Sequence, residues 1–214
     1  MNYKAVIFDF DYTLGDCTNG IVLSANYALN KVGYSEADVL EIKKTVGLSL
    51  KETFYKLSGD NDVNEAARFC EYFKEKSDAV MVENTLLLPG TLEVLKFFKD
   101  NHIKIGIVTT KFHYRIDQIL NKFNLVDYVD MIIGADDVKI EKPDPEGLLC
   151  IIEKMKINKE EVLYIGDSLV DAQTAEGANV DFIGVTTGTT NKADFQKYRN
   201  LKIISKLNDL IYSW

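Results

Sequence analysis

The sequence predicts an α/β fold: a Rossmann-like parallel sheet core flanked by helices, with an all-helical domain inserted after the first strand. Three observations support this. Short β-branched runs alternate with longer amphipathic stretches, the pattern of a parallel sheet covered by helices. The interval between Thr13 and Pro89 holds several helical patterns and no convincing strand. At 214 residues, with 46% hydrophobic and 27% charged content, the chain can bury a substantial core.

Taken in order, the expected strands run from Lys4 to Phe10, Lys104 to Thr109, Met131 to Ile133, Val162 to Ile165, Phe182 to Val185 and Lys202 to Ile204. Between them, Pro89-Gly90 opens a helix through Leu92, Val94, Leu95 and Phe98. Tyr114 to Phe123, Pro145 to Met155 and Leu169 to Gly177 read as further helices. The insertion reads as helices over Ile21 to Val32, Glu36 to Val46, Leu50 to Leu57 and Val63 to Val82. Its aromatic residues, among them Tyr27, Phe54, Tyr55, Phe69, Tyr72 and Phe73, are read as helix packing. The domain division that follows is a core of residues 1–14 and 87–214 and an insertion of residues 15–86, with hinges near 14–20 and 82–90.

Composition excludes several function classes. A formal charge of −8 and a sequence pI near 4.9 argue against a broad contact with nucleic acid or anionic lipid, which needs clustered Lys and Arg. Cys17, Cys70 and Cys150 are odd in number and lack metal-ligand spacing, so they read as free thiols in a reducing compartment. The N-terminus enters an apolar strand within a few residues, and no segment approaches bilayer-spanning length, which predicts a cytoplasmic protein that contacts no membrane.

The chemistry lies in short stations placed just after apolar runs. Asp9 and Asp11 end the first strand, at the sheet edge where open α/β folds place ligands. A continued strand would put both carboxylates on one face, which suits a nucleophile beside an acid/base, or a metal site. Thr109 and Thr110 end a second strand, Lys142 is held in a stretch stiffened by Pro143 and Pro145, and Gly166-Asp167 ends a third strand with Asp171 four residues on. Each alone has a plain alternative: a capped turn, strand-end hydroxyls, a solvated lysine, an N-cap with a surface acid. Together they supply the several carboxylates, one cation and one hydroxyl that metal-assisted phosphoryl transfer requires.

These residues carry a resemblance to the haloacid dehalogenase superfamily of phosphatases. Its D-x-D-x-T motif is similar to Asp9, Asp11 and Thr13, its strand-end threonine to Thr109, its lysine before proline to Lys142, and its G-D-x-x-x-D motif to Gly166, Asp167 and Asp171. The resemblance spans nearly the whole chain. The helical insertion resembles the cap of the phosphoglycolate phosphatase and β-phosphoglucomutase branches.

The resemblance implies a mechanism. Asp9 attacks phosphorus to form an aspartyl-phosphate, and Asp11 acts as acid and then base. Mg²⁺ is held by the Asp9 carboxylate, the Asp11 backbone carbonyl and Asp167. Lys142 offsets charge and fixes Asp9, Thr109 bonds the transferring group, and Asp171 orients Lys142 or a metal-bound water. Asp11, two residues after the nucleophile, favours phosphate esters over haloacids and phosphonates. The segment Gly47-Leu48-Ser49-Leu50 lacks the arginine that the mutase branch carries there, which prefers a hydrolase over a β-phosphoglucomutase-like enzyme. Gly47 and the loop from Thr45 to Leu50 are expected to help select the substrate. Tyr12 departs from the family, which most often has glycine there.

The expected activity is thus Mg²⁺-dependent hydrolysis of a small phosphorylated metabolite of the phosphoglycolate type, by a monomer or homodimer. Inorganic pyrophosphate is an alternative substrate. A phosphorelay receiver-like signalling module is the non-enzymatic alternative, disfavoured by the order of its acidic residues and by the long insertion.

Overall fold

In the computed structural model, residues 3–213 are described. The strands are β1 (Ala5–Phe8), β2 (Gly15–Asp16), β3 (Leu86–Leu87), β4 (Lys104–Val108), β5 (Met131–Ile133), β6 (Val162–Gly166), β7 (Asp181–Val185) and β8 (Lys202–Ile204). The helices are α1 (Thr18–Lys31), α2 (Val39–Lys43), α3 (Leu50–Ser58), α4 (Val63–Val80), α5 (Thr91–Asp100), α6 (His113–Lys122), α7 (Glu146–Met155), α8 (Leu169–Ala178), α9 (Lys192–Phe195) and α10 (Asp209–Ser213). The chain divides into two compact units, Met1–Asp16 with Leu87–Trp214, and Cys17–Leu86.

The larger unit is built on a six-stranded sheet in the order β5-β4-β1-β6-β7-β8, and every pairing is parallel. This is the Rossmann order, in which the chain moves outward on one side of β1 and then returns to build the other. All four residues of β1 are buried, as expected of a strand covered on both faces. On one face Ala5 and Ile7 join Leu148, Ile151, Ala172, Phe182 and Phe195 in a single apolar cluster under α7, α8 and α9. On the other, the Phe8 ring lies 6.1 Å from Phe98 of α5. Each such fully buried ring contributes roughly 1.5–3 kcal/mol relative to exposure.

The smaller unit is helical. Along α4, Ala66, Phe69, Phe73 and Ser77 are buried at spacings of one helical turn, giving one inward stripe. Phe54 of α3 meets that stripe, its ring 5.5 Å from Phe69, and the Tyr34 ring packs edge-on to Phe54 at 5.4 Å. Ser49 and Glu52 close a capping box at the start of α3, and Asp62 caps α4.

Several sequence expectations are corrected in detail. The first strand ends at Phe8 rather than Phe10, because the N–H groups of Thr13, Leu14 and Gly15 all converge on the Phe10 carbonyl and turn the chain. The interval from Thr13 to Pro89 is not free of strands: β2 and β3 pair as a two-stranded ribbon, each too short to show a periodicity. The helix expected over Glu36 to Val46 shortens to α2, because the Asp38 side chain caps at Leu40 N–H and Gly47 adopts φ +93° a few residues later. No helix among the described residues is long and apolar enough to cross a membrane. Cys17, Cys70 and Cys150 form no disulfide among the described residues.

Candidate active site

The carboxyl ends of β1 and β6 lie side by side where the strand order reverses, the crevice that collects ligands in open α/β sheets. Asp9 follows β1 directly, and its backbone N–H still bonds the Ile165 carbonyl at 2.8 Å. Asp167 follows β6, and Asp171 sits in the first turn of α8. Carboxylate oxygens of Asp9, Asp167 and Asp171 lie within 4.8 Å of one another, and all three residues are buried. The structure thus places these three acids, each singled out in the sequence, at one point of the sheet edge.

Lys142 enters this cluster from the loop before α7. Its Nζ donates to Asp9 Oδ1 at 2.7 Å, to Asp171 Oδ1 at 2.6 Å and to the Tyr164 hydroxyl at 3.2 Å. The Lys142–Pro143 peptide is cis. Asp171 is held on its other side by α8 itself: its Oδ2 accepts from the Ser168 N–H and hydroxyl, and Ser168 Oγ accepts from the Asp171 N–H. The Tyr164 hydroxyl adds a 2.9 Å bond to Asp171 Oδ1. Gly166 is required by packing, since a Cβ there would lie 2.4 Å from the Asp171 Cβ.

Asp11 faces a different cation. Lys111 Nζ donates to both of its carboxylate oxygens, at 2.9 and 2.7 Å. Thr109 is buried at the end of β4, where its Oγ1 accepts from the Lys111 N–H at 3.1 Å. Thr110 follows it, half-buried. Gly47 belongs to the helical unit, in the turn between α2 and α3. Tyr12 takes a left-handed backbone, φ +57°, with its side chain buried and its carbonyl accepting from the Thr187 hydroxyl. That conformation costs a non-glycine residue about 1–3 kcal/mol, and the buried ring offsets it.

The electrostatics are unbalanced. Among the described residues, four buried carboxylates, Asp9, Asp11, Asp167 and Asp171, face two ammonium groups, Lys111 and Lys142, an excess of two negative charges when all are ionised. Burial, with Asp171 and Asp11 adding to it, pushes the Asp9 carboxyl up to about 7 against the pull of Lys142. Burial and the neighbouring Asp171 and Asp9 likewise push Asp167 well up. Burial opposes the charge on Lys142, but Asp171 and Asp9 outweigh it and hold the ammonium well above its ordinary range.

A divalent cation fits this arrangement. Asp167 is 5% exposed, yet its carboxylate accepts no hydrogen bond from any described residue. Gly188 lies so close that a Cβ would stand 1.8 Å from Asp167 Oδ2. Both Asp171 oxygens are already engaged, so Asp9 and Asp167 are the carboxylates left to reach an ion. The donors are all oxygen, as a hard cation requires.

Two groups escaped the sequence reading. The sequence reading assigns no role to Lys111 and includes Tyr164 only as part of the strand from Val162 to Ile165. The signal for Lys111 was its place two residues beyond Thr109, at the ligand edge of a strand.

Comparison with known proteins accords with this geometry. A curated phosphoglycolate phosphatase from Nitrosospira multiformis is 28% identical over 196 residues, covering 89% of this chain and 86% of that protein. Pyrophosphatase PpaX from Bacillus mycoides is 29% identical over 214 residues, covering 99% and 96%. A crystal structure from Bacteroides fragilis, described as a haloacid dehalogenase-like hydrolase, is 44% identical and superimposes with a TM-score of 0.94 over 97% of this chain and 99% of that one. The profile of the haloacid dehalogenase-like hydrolases matches residues 6–185, and the chain belongs to that family.

Proposed function

We propose that this chain is a Mg²⁺-dependent phosphatase that hydrolyses a small phosphate monoester through an aspartyl-phosphate on Asp9. The observation that carries the reading is the buried Asp9–Lys142–Asp171 chain, with Asp167 beside it and accepting no hydrogen bond from any described residue. Such a group suits a carboxylate nucleophile meeting an anion.

In the first step an Asp9 carboxylate oxygen forms a bond to phosphorus, the ester P–O bond breaks, and Asp11 gives its proton to the leaving oxygen. In the second, water forms the new P–O bond, the acyl-phosphate bond breaks, and Asp11 takes the proton from the water. Lys142 holds Asp9 by Oδ1, leaving Oδ2 for the attack. Asp171 and Tyr164 fix Lys142 in turn. Thr109 and the backbone N–H groups following Asp9 would bond the transferring group. Mg²⁺, held by the Asp9 carboxylate, the Asp11 carbonyl and Asp167, would supply the positive charge that lets one anion approach another.

The likeness to phosphoglycolate phosphatases supports a small carboxylated phosphate monoester as substrate. The likeness to pyrophosphatase PpaX supports inorganic pyrophosphate as the second reading. Phosphate release from p-nitrophenyl phosphate, 2-phosphoglycolate and pyrophosphate in Mg²⁺, with EDTA and Asp9→Asn controls, tests both. Loss of release in either control is expected; release that survives Asp9→Asn overturns the reading.

A further inference from the structure

Resting on that phosphatase reading, we propose that Lys111 is a positioning residue which holds the Asp11 carboxyl group in place so that, once protonated, it gives that proton to the leaving group. The Lys111–Asp11 contact is bidentate, with both side chains only about a tenth exposed, at 11% and 10%. A carboxylate on a one-carbon stem can rotate freely at a loop position, and a single acceptor bond would not fix its plane. Two bonds from one ammonium do.

The backbone that carries Lys111 is itself pinned. Its N–H donates to Thr109 Oγ1 at 3.1 Å, and its carbonyl accepts from the Ala135 N–H at 2.9 Å. Two residues on, the His113 N–H donates to Asp136 Oδ1 at 2.7 Å. The segment after β4 is thereby tied to the segment after β5, so the lysine stem starts from a fixed point. Thr109, which follows β4, is part of the same tie, so the group proposed to touch the phosphate and the ammonium that orients Asp11 share one anchor. Lys142 cannot take over this duty, because its acceptors are Asp9, Asp171 and Tyr164.

An oriented acid matters only when the leaving oxygen needs a proton. The test therefore compares kcat/KM, which covers steps up to formation of the phosphoenzyme, on an alkyl phosphate and on p-nitrophenyl phosphate for wild type, Lys111→Met and Lys111→Arg. Lys111→Met is expected to lose about 10- to 100-fold on the alkyl phosphate and several-fold less on the nitrophenyl ester. Lys111→Arg should recover most of the difference, since a guanidinium can also span both carboxylate oxygens. Equal losses on both substrates, or no loss on either, overturn the proposal. If Lys111→Met does not fold, the same leaving-group comparison on Lys111→Gln decides. A wild-type protein inactive on every phosphate ester would instead overturn the phosphatase reading.

Discussion

Lys142 Nζ lies 2.6 Å from Asp171 Oδ1, with the lysine side chain 4% exposed and the aspartate 1%. Asp171 takes no part in phosphoryl transfer by this account. Its work is to share the ammonium with Asp9, so that Lys142 is held between the two acids. Removing one member of a buried pair costs more than the pair contributes, because the partner charge is stranded. Lys142→Met is therefore expected to destabilise the fold by about 3–5 kcal/mol and to abolish turnover. Denaturant unfolding with and without Mg²⁺ checks this, with part of the loss regained in the cation. Wild-type stability and turnover in Lys142→Met would contradict the electrostatic account.

Tyr164 offers a finer probe of the same network. Tyr164→Phe keeps the ring in the core and deletes only the hydroxyl that bonds Lys142 and Asp171. A stability loss of about 1 kcal/mol is expected, with a several-fold fall in kcat and little change in KM. A variant that changes KM alone would place the hydroxyl in substrate binding instead.

The response to pH follows from the raised carboxyls. Asp9 is pushed from 3.8 up to about 7 by burial and its acidic neighbours, and Asp167 moves the same way. Between those values the metal-free folded protein holds protons that the unfolded chain has released. Stability is then fully present below about pH 4 and declines as pH rises through about 7. A bound cation replaces those protons, so the gain from Mg²⁺ should grow across the same window. Thermal melts in EDTA and in Mg²⁺ at a series of pH values test this, with about 2–4 °C expected per kcal/mol. A Mg²⁺ gain that shrinks with rising pH would contradict it.

Gly188 makes a steric prediction. A methyl group there would overlap Asp167 Oδ2 at 1.8 Å and crowd its Cγ at 2.9 Å. Gly188→Ala should turn the carboxylate away and raise the Mg²⁺ concentration for half-maximal activity by about tenfold or more. The change should fall mainly on the metal requirement, since Gly188 lies beside Asp167 and outside the apolar cluster under α7 and α8. An unchanged metal requirement would show that Asp167 is not an ion ligand.

The parts of this protein that the sequence made legible are those with a local cause. β5 and β8 were readable to the residue because apolar runs end at polar turn residues. Asp9 and Asp167 were readable because each follows an apolar run and a parallel sheet brings such ends to one edge, while Lys142 and Asp171 were readable through the motifs of the resemblance. What was illegible depends on contacts distant in the chain. Lys111 is one among 25 basic residues until the turn after β4 faces Asp11, a hundred positions away. Tyr164 is an apolar strand residue until its hydroxyl meets Lys142. The β2–β3 ribbon has two residues on each side and no pattern to read.

The most direct measurement identifies the atom that receives phosphorus. Acid quenching during turnover of p-nitrophenyl phosphate, whose leaving oxygen needs no acid, then borohydride reduction of any acyl-phosphate and peptide mass spectrometry should convert residue 9 alone to homoserine, with Asp11→Asn, which lacks the base for the second step, accumulating more of it. Inorganic phosphate released with residue 9 unmodified, or with the label on another carboxylate, would contradict the account.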